Sequence, residues 1–148
     1  MHSPFLEVIR SLNSHKVRYV VIGGNAAIYY GVARGTFDLD ILIEATLDNA
    51  KRLLNGLKAI RFGTAHLLTA ERLLGNEITT FNDWLPVDVQ TRTPGVRFAT
   101  AWKNREVKRF RSVSVPFLSR RDLIRAKRAA GRPVDLEDVR LLQISKKR

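Results

Sequence analysis

Asp38 and Asp40, two positions apart in the run FDLDILI at 37–43, are the side chains whose spacing points most directly to chemistry. The run is apolar and β-branched apart from these carboxylates and predicts a buried strand, along which side chains at i and i+2 share a face. Two like charges side by side repel, and in a dry cleft the repulsion raises one pKa unless a cation joins them. Magnesium removes that penalty: it takes oxygen ligands in octahedral geometry, usually one or two of them protein carboxylates, and leaves its other positions to water and phosphate. Asp88, in PVDVQT, falls on a second predicted strand where Val87 and Val89 face the core and Asp88 points the other way. Three carboxylates suit a pair of metals about 4 Å apart that bind the attacking and leaving oxygens of a phosphoryl or nucleotidyl transfer. Asp88 would then serve the nucleophile-side metal or act as general base. An Asp-x-Asp taken alone is common and favours a plain solvent-facing strand; the glycine pair before it is what raises the metal reading.

The elements that must position these groups are legible in outline. Residues 3–14 place Phe5, Leu6, Ile9 and Leu12 at helical spacing behind a Ser3-Pro4 start. VRYVVIGG predicts a strand that turns at Gly23 and Gly24 into a helix over NAAIYYGVARG, stopped near Gly31. Paired glycines at that turn let backbone amides approach triphosphate oxygens, although such a pair also serves as a plain turn. FDLDILIE returns as a strand, and Thr46 caps a helix through Ile60. LLTAERLLGN is compatible with a short helix or an irregular stretch. NEITTFN and PVDVQTR predict two strands joined by Asp83-Trp84-Leu85, and residues 97–104 a helix. One or two strands follow in REVKRFRSVSVPFLS, ending near Pro116. Ser119 caps a helix running to Gly131, and Pro133 opens a last one with Asp135, Glu137 and Asp138 at its positive end. The expected class is α/β with a small mixed sheet, flanked by helices and closed by C-terminal helices. Residues 1–148 are read as one domain, with 1–100 the catalytic core and 101–148 a basic strand-and-helix part.

The segment GGNAAIYYGVARGTFDLDILIE resembles the signature of the DNA polymerase β-like nucleotidyltransferase superfamily, a glycine pair followed by an Asp-x-Asp on the next strand. Its form is most similar to the minimal nucleotidyltransferases and the AbiEii-type toxin enzymes. The matching residues are Gly23, Gly24, Ala26, Gly31, Arg34, Thr36, Asp38 and Asp40, with Asp88 as third carboxylate. The tail VPFLSRRDLIRAKRAAGRPVDLEDVRLL is similar to the AbiEii-like pattern. That resemblance implies that Lys127 contacts nucleotide phosphate and that Asp135 is a further active-site acid. It also implies the nucleotidyltransferase fold and a magnesium-dependent transfer of NMP from an NTP to a hydroxyl. The family often has Ser where Gly24 stands, and the chain is shorter than most AbiEii-type toxins.

Composition narrows the alternatives. No cysteine means no disulfide framework and no thiolate zinc site. No apolar run is long enough to span a bilayer and no leader pattern opens the sequence, so the expected location is the cytoplasm. Residues 101–148 hold 15 Lys/Arg against 5 Asp/Glu, which supplies +10 of the net +12. So lopsided a charge favours a polyanionic partner, RNA or tRNA first, and a solvated basic surface is the plain alternative. Arg34 suits phosphate neutralisation and Thr36 loop orientation; Lys127, among Arg125, Arg128 and Arg132, is equally compatible with a solvated face. Asp135 also suits a plain helix-start acid. Tyr29, Tyr30, Trp84 and Trp102 read as core or rim before base-stacking groups, and His2, His15 and His66 as surface residues without ligand spacing. The leading reading is a transferase acting on RNA, a toxin of a toxin–antitoxin pair with an antitoxin. Its rivals are a binding module without transfer, a transferase acting on a small molecule or protein, and the catalytic subunit of a two-component enzyme with a small helical partner.

Overall fold

A computed structural model describes residues 3–144, with the side chain of Ser3 left out. His2 and the basic residues 146–148 lie outside the described residues. Helix α1 (Ser3–Ser14) buries Phe5, Leu6, Ile9 and Leu12 as their spacing requires. It leads to β1 (Tyr19–Ile22), α2 (Gly23–Tyr29) and β2 (Leu39–Ile43). Helix α3 (Leu47–Ala59) starts where the Thr46 hydroxyl accepts from the Asn49 amide at 3.2 Å. The stretch at 67–76 contains a short helix, α4 (Ala70–Leu74), capped by Thr69. Then come β3 (Ile78–Asn82), β4 (Pro86–Gln90), α5 (Phe98–Asn104), β5 (Glu106–Phe110) and β6 (Val113–Phe117). Helix α6 (Arg120–Ala130) is capped by Ser119 and stops at Gly131 in the left-handed region, and α7 (Pro133–Ile144) follows.

The six strands form one mixed sheet in the order β3-β4-β2-β1-β6-β5. β1 and β2 run antiparallel, while β4 joins β2 and β6 joins β1 in parallel. The sheet therefore has Asp40 beside both Ile22 of β1 and Asp88 of β4. Directly paired residues share a face, so Asp40 and Asp88 stand together, and Val87 and Val89 alternate into the core. α1 packs on α3 and β6; α2 packs on β1, β2 and α6; α7 packs on α6. One difference from expectation concerns the start of β2. Phe37 is 90% exposed and Asp38 lies in a bend just before the strand, so the buried run begins at Leu39. No helix among the described residues is long and apolar enough to cross a membrane.

Candidate active site

Asp38, Asp40 and Asp88 converge although only two of them lie on strands. Each offers an oxygen within 4.8 Å of the other two. Their neighbours fix the arrangement: the Thr36 hydroxyl donates to Asp38 Oδ1 at 3.0 Å and the Thr80 hydroxyl to Asp88 Oδ1 at 2.6 Å. The Asn25 amide holds the loop by donating to the Asp38 carbonyl at 2.8 Å. Burial, a hydrogen bond shared with Asp88 and the charges of Asp38 and Asp88 push the Asp40 carboxyl up to about 8, against a smaller opposing pull from Lys127. The cluster thus retains a proton that a cation would displace. With hard carboxylate oxygens as the only donors, the set fits magnesium or manganese.

The glycine pair is shaped by these carboxylates. Gly23 has φ +68°, and a Cβ built there would lie 2.2 Å from Asp40 Oδ2. A Cβ on Gly24 would lie 3.0 Å from Thr36 Oγ1 and 3.7 Å from the Arg34 guanidinium carbon. Any side chain here would fill the space between backbone and carboxylates, so the close approach requires glycine. Gly23→Ala is expected to destabilise the protein by about 1–3 kcal/mol through the left-handed backbone alone. A thermal melt in chelator checks this, with a fall of roughly 3–10 °C expected.

Arg34, Lys127 and Arg132 line the same cavity of about 430 Å³ as Gly23, Gly24, Asp38, Asp40 and Asp88. Lys127 is only 6% exposed, so it does not belong to a solvated basic face. Its Nζ lies 2.8 Å from Asp138 Oδ2 and 3.7 Å from Asp135 Oδ1. Arg34 Nη1 reaches the same Asp138 oxygen at 2.6 Å. Arg132 donates through Nε to Asp135 Oδ2 at 2.7 Å. Burial acts to raise the Asp135 carboxyl, but the hydrogen bonds and charge of Arg132, joined by the charge of Lys127, bring it below its ordinary range. Asp135 is therefore a buried member of the ionic network as well as a first-turn acid.

The residues expected to act in catalysis or binding, namely Gly23, Gly24, Arg34, Thr36, Asp38, Asp40, Asp88, Lys127 and Asp135, all line this one cavity, whereas the signature residues Ala26 and Gly31 do not. Asp138, Arg132 and Thr80 also contribute, and sequence reasoning gave them no role in the site. A signal for Asp138 was present: Asp135, Asp138, Val139 and Leu142 follow the i, i+3, i+4, i+7 spacing of an inward helix face, and all four are buried. Tyr29 stacks on Phe117 and Tyr30 is fully buried, in keeping with core and rim. Trp84 is 43% exposed and meets Phe62 edge-on. His66 is exposed, while His15 is half-buried with Nδ1 2.9 Å from the Ser11 carbonyl oxygen.

A profile of the family described as "nucleotidyltransferase of unknown function (DUF6036)" matches residues 5–147. No curated protein sequence matches the chain. Among solved structures, the fold is similar to that of a "putative nucleotidyltransferase" from Thermotoga maritima, with a TM-score of 0.58 and 19% identity. That alignment covers 97% of this chain and 95% of the other.

Proposed function

The chain belongs to this nucleotidyltransferase family, and from that premise we propose that it moves NMP from an NTP to an acceptor hydroxyl at the Asp38–Asp40–Asp88 cluster, with RNA, tRNA in particular, as acceptor. The observation that carries the reading is one cavity lined by three clustered carboxylates, by Arg34, Lys127 and Arg132, and by the glycine pair Gly23 and Gly24. Asp38, Asp40 and Asp88 would hold one or two Mg²⁺ ions. Bound there, magnesium would screen the phosphate charge and activate the attacking oxygen. The chain's own groups supply the rest. Gly23 and Gly24 let the backbone lie close against Asp40, Thr36 and Arg34, and their amides would meet the triphosphate there. Lys127 and Arg34, released in part from Asp138, would neutralise phosphate oxygens and favour the leaving pyrophosphate. Thr36 and Thr80 hold Asp38 and Asp88 by hydrogen bonds, and Asp88 would accept the acceptor hydroxyl's proton. Asp135 orients Lys127 and Arg132 along the same wall.

The finer assignment follows the AbiEii-like resemblance: a cytoplasmic toxin of a toxin–antitoxin pair, with residues 1–148 as one domain and an antitoxin as partner; the rival is the catalytic subunit of a two-component transferase whose small helical partner supplies acceptor binding. The charge of residues 101–148 supports an RNA acceptor. Purified protein incubated with Mg²⁺, each α-labelled NTP in turn and total RNA tests this. Label should enter RNA from one preferred NTP and only with Mg²⁺ present. Label in a small molecule or in the protein itself would reassign the acceptor, and Mg²⁺-dependent NTP binding without transfer would favour a binding module.

A further inference from the structure

Apart from the carboxylate cavity, α1, α5 and the β5–β6 hairpin enclose a second groove of about 430 Å³. Arg10, Asn13, Trp102, Arg105, Ser112 and Ser114 are among its walls. Arg109 pairs with Ser114 across the β5–β6 ladder and shares its face. Tyr19 of β1 also lines the groove, and no residue is common to it and the carboxylate cavity.

The cations here are in a different state from those at the carboxylates. Arg34, Lys127 and Arg132 are each held by Asp135 or Asp138. Among the described residues, Arg10, Arg105 and Arg109 enter no ion pair, and no carboxylate lines the groove. Glu106, the one acid of the 101–112 segment, is engaged with Tyr30 on the other face of β5. Arg105 is also pre-positioned. Its guanidinium carbon sits 3.7 Å from the Trp102 ring centroid, and its Nη1 donates to the Trp102 carbonyl at 2.6 Å. Phe98 stacks on the same ring at 5.8 Å, and Arg18 lies 5.3 Å from its centroid. A guanidinium plane fixed on an indole offers a stacking surface for a base together with a fork for phosphate.

We propose that this groove is an exosite for a single-stranded RNA segment: Arg10 and Arg109 contact its phosphates and the Arg105–Trp102 stack receives a base. The inference rests on the RNA-acceptor reading above and adds a contact surface outside the transfer site. A single strand fits better than a duplex, because the groove holds little more than a nucleotide or two and its recognition surface is a stacked plane.

The test uses the full chain carrying Trp84→Phe, which leaves Trp102 the sole tryptophan. A labelled oligouridine of about 12 nucleotides is titrated in EDTA without NTP, with Trp102 fluorescence and anisotropy read together. RNA should quench Trp102. Arg10→Gln/Arg105→Gln/Arg109→Gln should weaken binding by about 10-fold or more and flatten the salt dependence by about 2. Lys51→Gln/Lys58→Gln/Arg72→Gln, which removes three exposed cations from α3 and α4, should leave affinity within about 3-fold. Equal losses in both triple variants, or an oligoglutamate that quenches Trp102 as strongly as RNA does, would overturn the proposal. Should circular dichroism show the groove variant unfolded, Arg109→Gln alone must still reduce affinity and salt slope; no change would overturn the exosite. Binding without transfer keeps the outcomes distinct: absent RNA labelling with intact groove binding contradicts the acceptor reading, whereas RNA labelling with unaffected groove variants contradicts the exosite.

Discussion

Asp40→Asn is expected to abolish nucleotidyl transfer, by about 10³-fold or more, while making the metal-free protein more stable. Both effects have one cause. Asp40 is squeezed by burial and by Asp88 and Asp38 until its carboxyl titrates near 8, against an ordinary value of 3.8. Below about pH 4 the carboxyl is protonated whether the chain is folded or unfolded, and it costs nothing. Between about 4 and 8 the unfolded chain releases the proton and the folded one retains it, so stability falls as pH rises and the loss is complete above about 8. Asn removes the charge and this slope. At pH 8 in chelator the variant should gain on the order of 2 kcal/mol, or roughly 5 °C in Tm. Melts of both proteins from pH 5 to 9, with transfer assays alongside, check the pair of effects. A variant with lower stability at pH 8 would mean that Asp40 is not under strain.

Lys127→Met has the next largest expected effect, and stability and activity should move in the same direction. Nearly buried, Lys127 lies between Asp135 and Asp138. Removing it leaves two buried carboxylates with only Arg132 and Arg34 to hold them. Breaking a buried pair costs about 3–5 kcal/mol, and the remaining arginines should limit the loss to about 2–4 kcal/mol. Transfer should fall by about 10²–10³-fold, the usual effect of losing one preorganised charge against a developing anion. Lys127→Arg should not restore it, because a branched fork does not fit a site built for a compact ammonium. Steady-state kcat/KM for the preferred NTP, measured below the melting transition, reads the second effect apart from the first.

The sequence revealed the carboxylate side of the cavity better than the cationic side, for reasons of range. Asp38 and Asp40 are two residues apart, so a strand's two-residue period points to both, although Asp38 lies in the bend before β2 and is held there by Thr36 and Asn25. Asp88 followed from its alternation with Val87 and Val89, although its pairing beside Asp40 depends on a strand order that no local pattern encodes. Gly23 and Gly24 drew attention at a strand-to-helix turn, and their close contacts explain why no side chain stands there. Arg34 and Asp138, by contrast, are 104 positions apart and meet only in the tertiary fold, where α6 packs on α2 and α7 on α6. Three acids at a helix start look like ordinary macrodipole partners, which concealed that Asp135 and Asp138 lie on the buried face. The arginine-rich surroundings of Lys127 concealed its burial in the same way. The start of β2 was placed too early because apolar Phe37 reads as strand, whereas it projects from the loop before it.

The most direct test of the central claim is anomalous scattering from crystals grown with Mn²⁺ and a non-hydrolysable α,β-methylene NTP. We expect one or two manganese peaks among the carboxylates of Asp38, Asp40 and Asp88, with the triphosphate along Gly23 and Gly24 and within reach of Lys127 and Arg34. Nucleotide bound elsewhere, or carboxylates without manganese beside a bound nucleotide, would contradict the account.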